Sequence, residues 1–492
     1  MSKAEDINPG LERLTKKREE QLPTVKELGL LHVLPNLSSD PHQFIYELLQ
    51  NAEDVGARKM EFFIKDGILR VKHNGSVFTI GNVEAITSGQ SVKEEDSNPI
   101  GKFGVGFKSV FKITERPSIH SGKFHFRIEN IIVPKPEPVK NIGKQDTLFV
   151  LPLMEEKETE IEEKFIKLRS ENLLFLSNIK EVSFSCNDNK RTFSITRKQI
   201  TLHKRYKGIS KATETTIKDG SNSQSFLVIE SDEIIENKEG ETIKHKAQIA
   251  FRQDKEGNII EDTNRKAFVF FPTNEDSIFD FLVQAPYKTT PSRNTIDFKD
   301  KENKKITKIL GRLVANSLPL MKDLKHLTPQ FFKYLHLGDN KEQSEIYQSV
   351  RSEIIGKMKT EALLPGLTTT YIKAQNAVIP SENTITKLLN SKDLNLFFEQ
   401  KKQYKWLGNV NIEKSVLKND FEIPEIGMEE IKEKLDTIIE RKGFMWLDKL
   451  YDILAKEENE DLLEEFKREK IVPLTNGKRI TPVDEEDNLQ VH

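Results

Sequence analysis

The chain has 492 residues, about three domains' worth by usual domain sizes, and its 31% of charged residues leave a formal net charge of only −2. This balance excludes a strong global field for nucleic acid or membrane surfaces, and the single cysteine, Cys186, excludes a disulfide framework or a cysteine zinc site. No secretory signal pattern and no apolar run of about 18 residues is present, so we expect a cytoplasmic protein without membrane segments.

Two helices are predicted first. Residues 10–21 form a charged amphipathic pattern, and a second helix, started by Pro41, carries an E-x-x-x-N pattern at Glu47 and Asn51. Because four residues make about one helical turn, these two side chains point the same way. A carboxylate and a carboxamide on one face suit two tasks at a triphosphate, namely orienting a water and ligating Mg²⁺ through oxygen.

A hairpin and a polar segment follow. Strands over residues 61–64 and 68–71 are joined through Asp66-Gly67, a dipeptide typical of a tight β-turn. The second strand leads into the turn His73-Asn74-Gly75. Residues 88–98 are polar, and we expect a lid there.

A glycine-rich loop comes next and enters a helix-like stretch over residues 107–113. Glycines let backbone N–H groups approach phosphates, and a helix N-terminus adds partial positive charge. The order G-x-x-G-x-G is not the dinucleotide-binding order, and the interposed Phe107 displaces the lysine that a Walker A loop needs. The loop consists of Gly101, Lys102, Phe103, Gly104, Val105 and Gly106.

These motifs resemble the gyrase, heat-shock chaperone, histidine kinase and MutL (GHKL) ATPase superfamily, which has the Bergerat ATP-binding fold. Within it, the resemblance is to the N-terminal ATPase module of sacsin and its bacterial relatives, through the segments ELLQNAEDVGA, HNGSVFT, IGKFGVGFKSVF and FLVQAPYKTTPSRNTI, and it covers roughly residues 28–310. It implies an α+β fold in three parts: a Bergerat-fold ATPase domain over 1–180, an α/β middle transducer domain over 181–335, and a mainly helical C-terminal region over 336–492.

The resemblance also implies ATP and Mg²⁺ as cofactors and gives roles to the motif residues. Glu47 would orient or deprotonate the attacking water, Asn51 would ligate Mg²⁺, and the backbone from Gly104 to Lys108 would cradle the phosphates. The residues expected to contact the nucleotide are Asn51, Asp54, His73, Asn74, Gly75, Gly101, Lys102, Phe103, Gly104, Val105, Gly106, Phe107, Lys108 and Thr147.

The base-binding residues include one departure from the superfamily. His73 stands where most members have an aspartate that binds the adenine amino group. A neutral imidazole can meet an exocyclic amine through a ring nitrogen, although it is a poorer fixed acceptor than a carboxylate. Asp54 would help through water, and Thr147, on a strand over residues 146–151, would lie behind the base.

The middle region is predicted to be strand-rich, with helical stretches from Ser277 and from Lys304. In chaperone and MutL relatives a basic residue of this domain reaches the γ-phosphate, which makes Lys288 and Arg293 the candidates for a catalytic cation. Beyond residue 336 we expect charged helices, interrupted by short strands near Pro365 and Pro473.

The resemblance implies a slow, gated ATPase that forms an ATP-dependent homodimer through residues 1–35 and acts on a protein client. One alternative is the ATPase or sensor component of a bacterial antiviral defence system, with a partner effector protein. A second is a MutL- or gyrase-like ATP-gated DNA clamp, for which the balanced charge offers no basic groove. A histidine kinase fits least, because only about forty residues precede the E-x-x-x-N helix.

Overall fold

The computed structural model combines a large mixed sheet with helices, which confirms the predicted α+β class. The chain divides into two compact units, Met1–Ser317 with Glu345–Val350 and Leu318–Ser344 with Arg351–His492. The predicted domain boundaries stay predictions. No described helix is long and apolar enough to cross a bilayer. The structure describes residues 8–33, 35, 43–88, 106–187, 189–236, 242–289, 295–338, 345–368, 370–398, 402–456, 460–484 and 488–490.

The first unit holds the sheet and the helices packed on it. Its helices are α1 (Pro9–Glu27), α2 (Leu30–Val33), α3 (Gln43–Asp54), α4 (Ile80–Ile86), α5 (Lys157–Lys167) and the greater part of α6 (Lys301–Asp323). Two 3₁₀ helices cover Gly106–Lys112 and Ser170–Leu173. Its strands are β1 (Lys59–Lys65), β2 (Ile68–His73), β3 (Ser118–Ser121), β4 (Phe124–Glu129), β5 (Val133–Pro136), β6 (Thr147–Pro152), β7 (Glu181–Cys186), β8 (Asn189–Gln199), β9 (Lys211–Asp219), β10 (Asn222–Glu236), β11 (Thr242–Gln253), β12 (Lys266–Val269), β13 (Phe271–Asp276) and β14 (Leu282–Gln284).

These strands form one sheet in the order β13-β12-β14-β11-β10-β9-β8-β7-β1-β2-β6-β3-β4-β5. The predicted β1–β2 hairpin is confirmed, with Lys65 paired to Ile68 and positive φ values of 55° at Asp66 and 67° at Gly67. Two positive φ values suit a two-residue turn between twisted antiparallel strands. Strand β6 pairs antiparallel with β2 and β3, which brings the ends of these three strands together.

Every residue of α3 from Gln43 to Glu53 is buried, and the apolar residues at i, i+4 and i+8 form one stripe along the helix. Phe44, Leu48 and Ala52 lie in the core of the first unit. Helix α1 packs on the same unit, where Thr15 Oγ1 donates to the carbonyl of Pro134 and Arg18 donates to the carbonyl of Glu84 at 2.9 Å. Helix α1 therefore covers β5 and α4 of its own chain.

The predicted helix from Ser277 is wrong, whereas the helix near Lys304 is confirmed as α6. Bends after Ser277 lead into β14 instead. Phe281, Leu282 and Val283 are buried in succession, so this short apolar run is that of a strand buried on both faces and not of an amphipathic helix.

The second unit has its own core around Trp406 and Trp446, whose indole N–H groups donate to the carbonyls of Leu389 and Leu388, both at 2.8 Å. Its helices are α7 (Pro329–Tyr334), the rest of α8 (Glu345–Thr360), α9 (Ile385–Leu388), α10 (Lys414–Asn419), α11 (Met428–Glu433), α12 (Leu435–Lys442), α13 (Met445–Leu454) and α14 (Glu460–Phe466). Its strands are β15 (Leu364–Pro365), β16 (Tyr371–Ile372), β17 (Ala377–Pro380), β18 (Lys405–Trp406), β19 (Glu425–Ile426), β20 (Val472–Pro473) and β21 (Arg479–Ile480). The short strands expected near Pro365 and Pro473 are thus confirmed.

Candidate functional site

Helix α3 places a carboxylate and a carboxamide one turn apart inside the first unit. The side chains of Glu47 and Asn51 are buried, at 4% and 9% exposure. Gln43, one turn earlier, donates from Nε2 to Glu47 Oε1 at 3.2 Å and so restricts the carboxylate. The carboxamide of Asn51 makes no hydrogen bond to any side chain or backbone group that the structure describes, so its oxygen can accept a ligand.

Gly106 lies directly against this carboxylate. A Cβ atom at Gly106 would be 1.7 Å from Glu47 Oε2 and 2.5 Å from Glu47 Cδ. A side chain at this position would require the Glu47 carboxylate to move, so glycine lets the start of the 3₁₀ helix approach the acid as closely as it does. The end of the glycine motif and the first residue of the E-x-x-x-N motif are therefore in contact, while Gly101, Lys102, Phe103, Gly104 and Val105 lie outside the described residues.

The turn after β2 is pressed against the end of α3. A Cβ atom at Gly75 would lie 2.6 Å from Val55 Cγ2 and 2.9 Å from the Val55 carbonyl oxygen. Asn74 Oδ1 accepts the backbone N–H groups of Arg58 and Lys59, both at 2.9 Å. These two residues fix the turn, and with it His73, close to the helix that carries Asn51.

The imidazole of His73 is buried, and its tautomer is determined by a hydrogen bond. The backbone N–H of Gly75 donates to His73 Nδ1 at 3.2 Å, so Nδ1 carries a lone pair and the proton of the neutral ring is on Nε2. Burial lowers the pKa of His73 to about 4, against an opposing attraction from Asp146. The ring is therefore neutral at pH 7.

Thr147 lies beside His73 at the start of β6. It is paired in register with His73 on one side and with Ser121 of β3 on the other, and the hydroxyl groups of Thr147 and Ser121 are 2.6 Å apart. The Phe149 ring, two residues along β6, lies near three other rings. Their centroids are at 5.7 Å for Phe107, 6.1 Å for His73 and 6.3 Å for Phe78. The predicted base-binding residues thus adjoin an aromatic cluster.

Lys108 is almost completely buried, at 1% exposure, and its ammonium is bonded within the protein. Its Nζ donates to the carbonyls of Ile86 and Ile131, at 2.8 and 2.6 Å. Burial lowers the pKa of Lys108 to about 7, with a smaller contribution from the positive charge of Arg18. The side chain therefore anchors the 3₁₀ helix to the end of α4, and the phosphate contact predicted for this residue is one of its backbone.

The other predicted site residues are not in this cluster or are not described. Asp54, the last residue of α3, is exposed. Lys288 follows β14 and pairs through its ammonium with Glu302 of α6, and its backbone N–H donates to Asn303 Oδ1 at 2.8 Å. Arg293 lies outside the described residues.

Glu53 stabilises the end of α3 near Asn51, and no sequence pattern predicts this role. Its carboxylate accepts the backbone N–H groups of Ser177, Asn178 and Ile179, at 2.6, 2.7 and 3.0 Å. Because Glu53 is two residues after Asn51, this cap anchors the end of α3. Its partners are more than a hundred residues away in sequence, so no local pattern could reveal it.

Comparison with known proteins links part of this region to one family. Residues 66–147 match the model of the Sacsin domain. Over 98 residues the chain is 39% identical to Protein NO VEIN of Arabidopsis thaliana, which covers 19% of this chain and 4% of that protein. It is 34% identical over 98 residues to Sacsin of Homo sapiens, which covers 16% of this chain and 2% of that protein. The chain therefore spans a small fraction of the length of these curated relatives, and its residues 66–147 are similar to the Sacsin domain.

Proposed function

We propose that the first unit binds ATP with Mg²⁺ and hydrolyses it slowly to ADP and phosphate. The observation that supports this most is the buried pair of Glu47 and Asn51 on α3, with the backbone of Gly106 packed against the carboxylate. A buried acid held beside a glycine-rich backbone suits a triphosphate site, because the backbone can approach phosphate oxygens where a side chain would block them.

Glu47 would act on the attacking water. Its carboxylate is held by Gln43 on one side and by the close Gly106 backbone on the other. A restrained carboxylate can orient a water in line with the γ-phosphate, and positioning is the main contribution a protein makes to phosphoryl transfer. The 3₁₀ helix Gly106–Lys112 would supply backbone N–H groups to the phosphates at its start.

Asn51 would provide a single protein ligand to Mg²⁺. Among the described residues, no group of three or more histidine, cysteine or carboxylate side chains could hold a metal ion. Mg²⁺ at nucleotide sites keeps several waters and uses substrate phosphates, so one amide oxygen with the triphosphate fits it. When bound, the ion would neutralise charge that develops on the phosphate oxygens.

The fold that this site would belong to is the Bergerat fold of the GHKL superfamily. The Sacsin-domain match over residues 66–147 includes the His73 turn, Gly106 and Thr147, which supports this interpretation. The cation for the γ-phosphate would come from Lys288 or Arg293, and Lys288 would first have to leave Glu302. Hydrolysis would therefore be slow and gated by conformational change.

The cycle would drive ATP-dependent homodimerisation and act on a protein client or partner effector protein. Residues 1–35 are the proposed dimerisation segment. Within them, α1 packs on β5 and α4 through contacts such as Arg18 with the Glu84 carbonyl. Release of these contacts would free the helix for a partner subunit, so the closed dimer would compete with the packing described here.

Nucleotide binding and phosphate release with Mg²⁺ test this proposal on the wild type, Glu47→Gln and Asn51→Ala. We expect Glu47→Gln to bind ATP but to release phosphate at least about 100-fold more slowly, since a positioned base contributes about 10²–10⁴-fold. We expect Asn51→Ala to lose Mg²⁺-dependent binding. Glu61→Gln, at a half-exposed carboxylate on β1, is the matched control and should behave as the wild type. A Glu47→Gln variant with the wild-type rate would contradict the assignment.

A further inference from the structure

The imidazole of His73 offers the site a hydrogen-bond donor, and its other nitrogen is occupied. Because the backbone N–H of Gly75 can only donate, Nδ1 of His73 can only accept. In the neutral ring the single proton is then on Nε2, which makes no hydrogen bond to any group in the described parts of the chain. The backbone N–H of Gly75 therefore makes Nε2, the other ring nitrogen, a hydrogen-bond donor.

Replacing the Nε2 donor with an acceptor would be costly. The other tautomer would place an N–H opposite the Gly75 N–H, and a flip of the ring would place a carbon there. In either case that buried N–H would lose its partner, at a cost of about 1–3 kcal/mol. Protonation would leave Nε2 a donor as well, and burial already opposes it. In both protonation states the free nitrogen can donate to a ligand but cannot accept.

The described side chains beside His73 do not offer the base a hydrogen-bond acceptor in a fixed orientation. The hydroxyl groups of Thr147 and Ser121 are bonded to each other, and Ser121 Oγ also accepts the N–H of Phe78 at 2.9 Å. One hydrogen of this hydroxyl pair remains to be donated, whichever of the two oxygens donates to the other. The rings of Phe78, Phe107 and Phe149 provide apolar contact but no hydrogen-bonding group.

The position of His73 along α3 suits the base end of a nucleotide. Gly106 contacts α3 at Glu47, and the His73 turn contacts the chain at Val55 through Gly75. Eight residues separate these contacts, which is about 12 Å along a helix axis, with Asn51 halfway. A triphosphate at the Gly106 end would therefore place its base toward the His73 end.

We propose that His73 donates a hydrogen bond from Nε2 to the base, so that this site takes purine nucleotides through an acceptor on the base and does not select ATP over 6-oxo purine nucleotides. This inference rests on the proposed nucleotide site. Adenine would be held through a ring nitrogen, because its exocyclic amine is itself a donor. Guanine and hypoxanthine present an oxygen at the same position, so GTP and ITP bind at least as well as ATP.

Titration of the full chain with ATP, GTP and ITP in the presence of Mg²⁺ tests this. In the wild type we expect dissociation constants for GTP and ITP equal to or below that for ATP. In His73→Asp, a carboxylate accepts from the adenine amine and repels the oxygen of the other bases, so ATP should be preferred by about tenfold or more. His203→Asp, at an exposed histidine, is the control and should leave the ratios unchanged.

Two outcomes separate this inference from the proposed function. Wild-type binding with a tenfold preference for ATP over ITP that His73→Asp leaves unchanged would overturn the inference about His73 alone. Failure of all three nucleotides to bind the wild type would overturn the nucleotide site and the inference together. A ¹H–¹⁵N correlation spectrum of the histidine rings at pH 7 provides a test without mutation. It should show His73 protonated on Nε2, and protonation on Nδ1 would contradict the argument.

Discussion

Replacing Gly106 with alanine tests the contact on which the catalytic proposal depends. The new Cβ would lie 1.7 Å from Glu47 Oε2, whereas ordinary contact begins at 3.4 Å, so the carboxylate oxygen must retreat by about 1.7 Å. Its bond from Gln43 at 3.2 Å would be strained or lost as the side chain turns.

The expected effect is large on turnover and smaller on stability. A displacement of about 1 Å in a reacting group can cost about 100-fold in rate, so phosphate release by Gly106→Ala should fall by at least that factor. Overpacking of this kind costs about 1–3 kcal/mol of unfolding free energy. ATP affinity should change by less than about tenfold, because Asn51 is a full turn away.

Phosphate release, ATP titration and denaturant unfolding on one preparation separate these effects. Gly81→Ala in α4 is the matched control, since its Cβ would meet only Thr79 Oγ1 at 3.6 Å. That variant, at an exposed position in the first turn of α4, should keep the wild-type rate and change the unfolding free energy by no more than about 0.5 kcal/mol. A Gly106→Ala protein that binds and hydrolyses ATP at the wild-type rate would refute the role given to Glu47.

Two other perturbations test the surroundings of the site. Glu53→Gln weakens a carboxylate cap on three backbone N–H groups and should lower the unfolding free energy by about 1–3 kcal/mol in urea, so an unchanged midpoint would contradict the anchoring role. Burial lowers the pKa of Lys108 from 10.5 to about 7, so between these values the unfolded chain holds the proton and the folded chain does not. Stability should therefore rise with pH across this window, and Lys108→Met should flatten the rise, whereas an equal slope in both proteins would contradict the shifted pKa.

The elements around the site could be predicted from sequence because their signals are local. The apolar spacing through Phe44, Leu48 and Ala52 marks α3, and Asp66-Gly67 marks the β1–β2 turn. The apolar run over residues 148–151 marks β6. Each of these patterns lies within a window of about ten residues, where periodicity is informative.

The chemistry of the site depends on contacts that no local pattern contains. Gly106 meets Glu47 across 59 positions, and Glu53 caps residues more than a hundred positions away. The tautomer of His73 follows from a single backbone N–H whose direction is determined by the packed turn at Gly75. The roles of these residues therefore come from tertiary packing, while the presence of their elements comes from local sequence.

Strands β8 and β9 were not predicted, because their local sequence carries only a weak strand signal. They are rich in lysine and threonine and have only two buried apolar residues each, Phe193 and Ile195 in β8 and Ala212 and Ile217 in β9. Their hydrogen-bonding partners in the sheet, and not a strong apolar alternation, stabilise them.

Titration of Mg²⁺-ATP into the wild type and into Asn51→Ala tests the central claim most directly. The carboxamide of Asn51 is buried on α3 and has no partner within the described part of the chain, so its removal should abolish Mg²⁺-dependent binding while the protein remains folded. Saturable binding by the wild type that disappears in Asn51→Ala is the predicted result. Equal binding by both proteins, or none by the folded wild type at millimolar nucleotide, would contradict the proposed site.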